Sequence, residues 1–298
     1  MGDLTNVSVH AGSPRLRLIT LISSALLIAG CGSSGTEFVA RAGDLGHIHD
    51  LVLEDDGTLL AASHTGLFRI EGVDRAVLVG EERHDLMAMT SDASGLIASG
   101  HPDLRLEEYR VEDRPPFLGL ARSENGGESW DVVGLLGEAD FHALTATDAG
   151  LFAADTSGVI WHLDDAGQWN ELGAVEARDL AVDPDDPTRQ VAPDYDEGIW
   201  ASDDGAVTWT RVAGAPPVIE VDWLSDGSLL GVTETGELWR ADEPEGPWSQ
   251  VAAGPADVET LYADPTGSWW ITVRGGAIHQ SSDGGETWDR IYEPPVDG

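Results

Sequence analysis

Along most of the chain, short apolar runs alternate with two-residue turn signals in a fixed order. One stretch reads Leu51-Val52-Leu53, the turn Asp56-Gly57, Leu59-Leu60-Ala61, the turn Thr65-Gly66, then Leu67-Phe68-Arg69. The order recurs as Val221-Asp222-Trp223, Asp226-Gly227, Leu229-Leu230-Gly231, Thr235-Gly236 and Leu238-Trp239-Arg240. It recurs again as Leu144-Thr145-Ala146, Ala149-Gly150, Leu151-Phe152-Ala153, Ser157-Gly158 and Val159-Ile160-Trp161. Runs this short, bounded by Gly-containing turns, predict strands joined by tight hairpins rather than helices. Further units begin near Met87, Leu180 and Leu261, which makes six.

Five tryptophans keep the period. Trp130, Trp169, Trp209, Trp248 and Trp288 lie 39, 40, 39 and 40 residues apart, the signature of a repeat architecture. Three of them close one octapeptide pattern: Ser123 to Trp130 with Asn125, Ser202 to Trp209 with Asp204, and Ser281 to Trp288 with Asp283. The stretches ending at Trp169 and Trp248 are degenerate versions. A short Asp or Asn side chain accepts backbone N–H groups of a turn, Gly takes the positive-φ position, and Trp anchors the next strand. Ser-x-Asp-x-Gly-x-Thr-Trp resembles the Asp box, or BNR repeat, of sialidases and related β-propellers. A four-stranded unit cannot cover its own faces, and a ring of such units buries both. The expected fold is an all-β, six-bladed β-propeller of four-stranded antiparallel blades with Asp-box c–d turns. It occupies residues 37–298, with Glu37 to Ala40 pairing into the last blade and an insertion from His101 to Pro116 in unit two.

Labelling each blade's strands a to d from the axis outward, b–c turns and d–a crossovers share one rim, opposite the box turns. The position two before the apolar residue of strand a reads His49, Asp85, His142, Arg178, Ile219 and Glu259. The b–c turns add His64, then His101-Pro102-Asp103-Leu104-Arg105, Asp155, Asp194, Asp196, Glu234 and Arg274, while His47 and Asp140 lie beside ring positions. His47, His49, His64, His101, Asp103, Arg105, His142, Asp155, Arg178 and Glu259 are therefore the candidate ligand-binding residues. Neutral imidazoles beside carboxylates suit Zn²⁺ or another divalent metal, with His49, His64, His101 and His142 the candidate ligands. The same groups suit a polyhydroxylated sugar or acid–base work.

Charge narrows the partners. The 298 residues carry 54 Asp or Glu against 16 cations, all Arg, for a formal charge of −38. A field of that sign repels nucleic acid and anionic lipid surfaces. An apolar content of 41% with eleven Trp nevertheless supports a core. At the start, Arg15 and Arg17 precede an apolar stretch from Leu18, which ends in Ile28-Ala29-Gly30-Cys31. This is the grammar of a secretory signal, and small residues before a lone Cys resemble a bacterial lipobox. Residues 1–30 are expected to be a lipoprotein signal peptide, and residues 31–36 a lipidated Cys31 with a flexible tether. The mature protein is then an extracytoplasmic monomer held to the membrane by lipid alone.

Several stretches are similar to a family of bacterial lipoproteins known as BNR-repeat glycosylhydrolases: His47-Ile48-His49, Gly66 to Arg69, Ser99 to Arg105, Leu118-Gly119-Leu120 and Gly137 to Leu144. The resemblance implies glycosidase activity, but a fold does not carry function with it. A sialidase needs an Arg triad and a Tyr nucleophile. The mouth Arg are Arg105, Arg178 and Arg274, the Tyr are limited to Tyr109, Tyr195, Tyr262 and Tyr292, and a charge of −38 repels an anionic sugar. A glycosidase of neutral sugars would set Asp103 against Asp85 or Asp140, two carboxylates roughly 5 to 10 Å apart. The leading expectation is a surface-anchored propeller binding a cell-envelope glycan or a metal ion at a His/Asp mouth. A glycoside hydrolase is one alternative. The other is a scaffolding propeller that recognises an envelope protein, as photosystem assembly factors sharing these repeats do, with the insertion as its contact loop.

Overall fold

The computed structural model describes residues 37–41 and 43–296. The expected signal, Cys31 and the tether lie outside them. Among the described residues there are six four-stranded antiparallel sheets, each contiguous in sequence, one 3₁₀ turn at Glu107–Tyr109 and no α-helix. The protein is a six-bladed β-propeller. Its blades span residues 48–78, 85–134, 141–174, 181–211, 218–253 and 258–292.

Apolar packing sits at the seams between blades. Phe68, Ile48 and Leu51 of blade one join Trp270, Ile278 and Tyr292 of blade six in one buried cluster. Phe141 and Ala153 of blade three likewise join Ile97 and Leu120 of blade two. Leu230 and Val232 of blade five pack with Trp269 and Ile271 of blade six. Side chains alternate across each strand, so both faces of a blade feed a seam and neither is spare.

The three octapeptide turns are built alike. Ser281 Oγ, 1% exposed, accepts the Gly285 amide at 2.8 Å and donates to Asp283 Oδ1 at 2.9 Å. Asp283 accepts from the Thr287 amide and hydroxyl at 2.9 and 2.6 Å. Ser202 with Asp204, and Ser123 with Asn125, repeat the pattern. Gly127 shows why glycine is needed. Its φ is +90°, and a Cβ there would meet Leu67 Cδ2 of blade one at 2.1 Å. These turns press against the preceding blade. Trp130 is buried in the blade one–two cluster, and Trp209 and Trp288 pack on the three–four and five–six clusters.

Residues 38–40 do not pair into the last blade. Val39 pairs with Val77, the Ala40 amide donates to Ala76 O and the Leu78 amide to Phe38 O. Residues 38–40 thus cover the open outer edge of blade one, because blade six already has its own d strand, Asp289–Tyr292. The ring closes through side-chain packing and one backbone bond, from the Glu293 amide to Val73 O at 2.6 Å. The insertion is anchored rather than loose. Tyr109 Oη donates to Trp130 O at 2.9 Å and lies 2.8 Å from Glu82, while its ring meets His84 edge-on.

Replacing Ser281 with Ala strands the buried Gly285 amide. The expected cost is about 1–3 kcal/mol. At about 2–4 °C per kcal/mol for a domain of this size, thermal unfolding should register a clear drop in Tm.

Candidate functional site

Five of the six blades enter the mouth through the same device. The a–b register slips between Ile48 and Asp50 in blade one, between Leu86 and Ala88 in blade two, between Val218 and Glu220 in blade five and between Val258 and Thr260 in blade six. Each slip leaves one bulged residue, and a bulge re-aims its side chain. His49, Ile219 and Glu259 occupy these bulges, and His142 holds the corresponding place in blade three. Blade two puts Met87 there, not Asp85. The expected alignment is two residues early in that blade, because its strand a starts at Asp85 and runs longer than the others.

Asp85 still reaches the cluster, paired with His101 across the strand. His64 Nδ1 lies 2.8 Å from Asp85 Oδ1 and 3.1 Å from His49 Nε2. The carboxylate accepts, so the proton sits on His64 Nδ1 and is shared with His49. The His49 ring lies 4.4 Å from both the His47 and His64 rings, centroid to centroid. His47 Nε2 lies 3.2 Å from Glu259 Oε1, across the seam between blades one and six. His47, His49 and His64 each offer a nitrogen within 4.8 Å of the others. Burial, then the neighbouring imidazoles, push His49 down to about 3. Burial followed by His64 lowers His47 as well. Both are neutral bases over the physiological range.

His101 and His142 face a different partner. His101 Nδ1 is 3.3 Å from Asp85 Oδ2 and its Nε2 is 3.6 Å from Asp140 Oδ2, while His142 Nε2 is 3.3 Å from the same Asp140 oxygen. Asp140, then Asp85, raise His101 to about 10, so it is an imidazolium bridging two carboxylates. Burial pushes Asp140 and Asp85 up, but the histidines outweigh it and hold both below the usual carboxylate range. Of the four candidate metal ligands, only His49 and His64 therefore meet, and His47 completes their triad.

The other expected residues do structural work or line the rim. Asp103 is 5% exposed, accepts the Arg83 amide at 3.0 Å and binds Arg105 through both oxygens. That pair locks the root of the insertion and leaves Asp103 no free oxygen for a sugar. Asp155 accepts the Asp140 amide at 2.9 Å and the Ser157 amide at 2.7 Å. Arg178 stands 3.9 Å from Glu220 at the channel wall, and Arg274 meets Glu234 at 3.1 Å in the open.

Below the mouth lies a set that the sequence pattern did not single out. Asp50, Asp179, Glu220 and Asp222 line a central cavity of about 340 Å³ together with His49, His142 and Arg178. Asp50 Oδ2 accepts the Met89 amide at 2.9 Å, Asp179 Oδ2 the Val221 amide and Asp222 Oδ2 the Ala263 amide, both at 2.7 Å. Each bond crosses to the next blade. Burial raises all four, Asp50 to about 8 and Asp222 to about 7. Their signal was present one or three residues after the bulge, but a channel-facing acid looks like any other acid in so acidic a chain.

These shifts set the pH dependence. Carboxyls raised in the folded state stabilise it less as pH climbs from their unfolded values toward 8. His101, raised to about 10, contributes fully below its unfolded value near 6.5 and loses that contribution as pH rises to 10. The depressed Asp85 and Asp140 contribute stability above about pH 4 and lose it as pH falls further. His47 and His49, lowered by burial, oppose this fall below about 6.5, so Tm should fall steadily from about pH 7 to 10. His101→Gln should flatten the portion above about 6.5, as read by scanning calorimetry across pH.

Comparison with known proteins gives distant neighbours only. No family model matches the chain. A xyloglucanase of a Paenibacillus species is 23% identical over 204 residues, which is 59% of this chain but 18% of that protein. The chain thus spans a small part of that relative's length. Among solved structures, the WD40 β-propeller domain of Doa1 aligns with a TM-score of 0.60 at 14% identity, over 87% of this chain and 88% of that one. A GH74 xyloglucanase from Xanthomonas campestris aligns with a TM-score of 0.54 at 17% identity, over 85% of this chain and 46% of that one. The fold is shared, and the sequence likeness is to glycan-active propellers.

Proposed function

We propose that this protein is a lipid-anchored, extracytoplasmic propeller whose mouth binds a divalent transition-metal ion, zinc above all, through His47, His49 and His64. The observation that carries this reading is the convergence of three imidazole nitrogens within 4.8 Å. Two of those imidazoles are held neutral by burial and by each other, as a ligand must be. Asp85 behind His64 and Glu259 behind His47 supply the carboxylates that orient metal-bound histidines. A formal charge of −38 gathers cations at such an opening. His101 and His142, engaged with Asp140, lie outside the triad.

A neutral glycan as the ligand is the second reading, favoured by the similarity to xyloglucanases. Hydrolysis by Asp103 with Asp85 or Asp140 is poorly supported, because hydrolysis needs one carboxyl that keeps its proton. Asp103, Asp85 and Asp140 are all held ionised by cationic partners. Glu259, lifted by burial to about 7, is the mouth carboxyl suited to that role.

Zinc at a hundredfold excess over its Kd should stabilise the protein by about 2.7 kcal/mol, visible as a rise in Tm. His49→Ala and His64→Ala should abolish the rise, and His101→Gln should retain it. Equal zinc-dependent shifts in the parent and in both alanine variants would remove the metal reading.

A further inference from the structure

A second opening lies between blades three and four, and nothing in the mouth accounts for it. Blade four has the shortest edge strands of the ring, Ala181–Val182 innermost and Thr210–Arg211 outermost. The groove opens beside Ala174, Val175 and Glu176 at the end of blade three. Its volume is about 540 Å³, within the size range of small-molecule sites. Tyr195, Trp200, Trp209, Val207, Glu176 and Asp196 line it.

The groove wall is organised in advance. Asp194 Oδ1 accepts the Asp196 amide at 2.9 Å and the Gly198 amide at 2.6 Å, closing the turn that carries Tyr195. Asp194 Oδ2 accepts the Trp200 indole N–H at 2.8 Å, which fixes that ring. Glu197 in the same turn holds φ at +59°, a conformation a non-glycine residue adopts only where its surroundings impose it. Within this rigid frame Tyr195 is left 61% exposed, against 37% for Phe38, the other exposed aromatic among the described residues. Burying an aromatic ring is favourable, so a ligand seated in this groove against Tyr195 gains that burial.

The lining selects the occupant's chemistry. Flat rings take the C–H faces of pyranose sugars, and the exposed carboxylates Glu176 and Asp196 accept from hydroxyls. Anionic ligands are repelled by those carboxylates and by the charge of the whole protein. A quaternary or primary ammonium would want a cage of rings around one point. Here no ring of Tyr195, Trp200 or Trp209 is in stacking or edge contact with another aromatic ring among the described residues. Separated platforms along a groove suit an extended chain of sugar rings. The Tyr195 turn belongs to the mouth-side rim, and its phenol lies in the field of Arg178, Glu220 and Asp140. The groove therefore runs from the outer wall toward the mouth.

We propose that this blade three–four groove is a binding site for a neutral oligosaccharide, with Tyr195 as the stacking platform and Asp196 and Glu176 as hydroxyl acceptors. The site is independent of the metal reading, since it shares no residue with His47, His49 and His64.

Isothermal titration of the full chain with xyloglucan oligosaccharides and with cello-oligosaccharides tests it, with tetramethylammonium chloride as the cationic probe. The parent should bind at least one sugar series with a Kd at or below about 1 mM. Tyr195→Ala should weaken that binding about tenfold, equivalent to about 1.4 kcal/mol, and Asp196→Asn should weaken it measurably. As surface changes, both variants should melt within about 2 °C of the parent, which separates lost binding from lost folding. Sugar binding that Tyr195→Ala leaves unchanged would overturn the proposal. So would binding of tetramethylammonium in place of sugar, or no sugar binding at about 1 mM.

Discussion

Each blade of this ring exposes two apolar faces, and only its neighbours can cover them. That constraint governs the rest. Six clusters of buried side chains, each drawn from two adjacent blades, replace the single central core of an ordinary domain. The seam between blades one and six must be as well packed as the others, although no strand is shared across it. Phe68 and Tyr292, both fully buried, meet there. Where the apolar layer thins toward the axis, carboxylates take over. Asp50, Asp179 and Asp222 each accept an amide from the following blade. These bonds come at the expense of keeping acids in a confined channel, which is why burial raises their proton affinity.

The same ring geometry makes the mouth. A bulge at the entry to strand a turns one side chain toward the axis in five of the six blades. Histidines separated by nearly a hundred residues in sequence, from His47 to His142, thereby share one opening. They do not share one role. His47 and His49 crowd against His64 as neutral bases, whereas His101 is a cation clamped between Asp85 and Asp140. Burial, reinforced by neighbouring imidazoles, strips the protons from His47 and His49, while an imidazole that faces two carboxylates keeps one. The lone Met87 in the bulge series leaves blade two without a titratable group there, and Asp85 reaches in from the strand's first residue instead.

Much of this was legible in the chain. Tryptophans at a constant period and repeated Gly turns carry the blade count, because turn chemistry and strand length are local properties. The gathering of His49, His64, Asp85, His101 and His142 on one rim also followed, since topology alone assigns b–c turns to that face. Contacts that depend on side-chain direction did not follow. His101 and His142 bend to Asp140 rather than to the other histidines, and Asp103 is consumed by Arg105 two residues away. The unit-two alignment slipped by two residues because an eight-residue strand offers two plausible apolar starts, Met87 and Met89. The channel acids were hidden by composition. In a protein with 54 acidic residues, Asp50 and Asp222 look like solvated surface until a neighbouring blade closes over them. Residues 38–40 went to blade one for an equally physical reason: an open strand edge next door outcompetes a finished sheet across the seam.

The absence of a shared strand has an architectural corollary. Every wedge is made from one uninterrupted piece of chain, and the join between last and first wedge resembles the five others in kind. Nothing in the torus therefore dictates which wedge is synthesised first. The order of threading is a matter of ancestry rather than mechanics. A gene that duplicated, lost or rotated whole forty-residue modules would meet its penalty in curvature and axial crowding, not in a broken clasp.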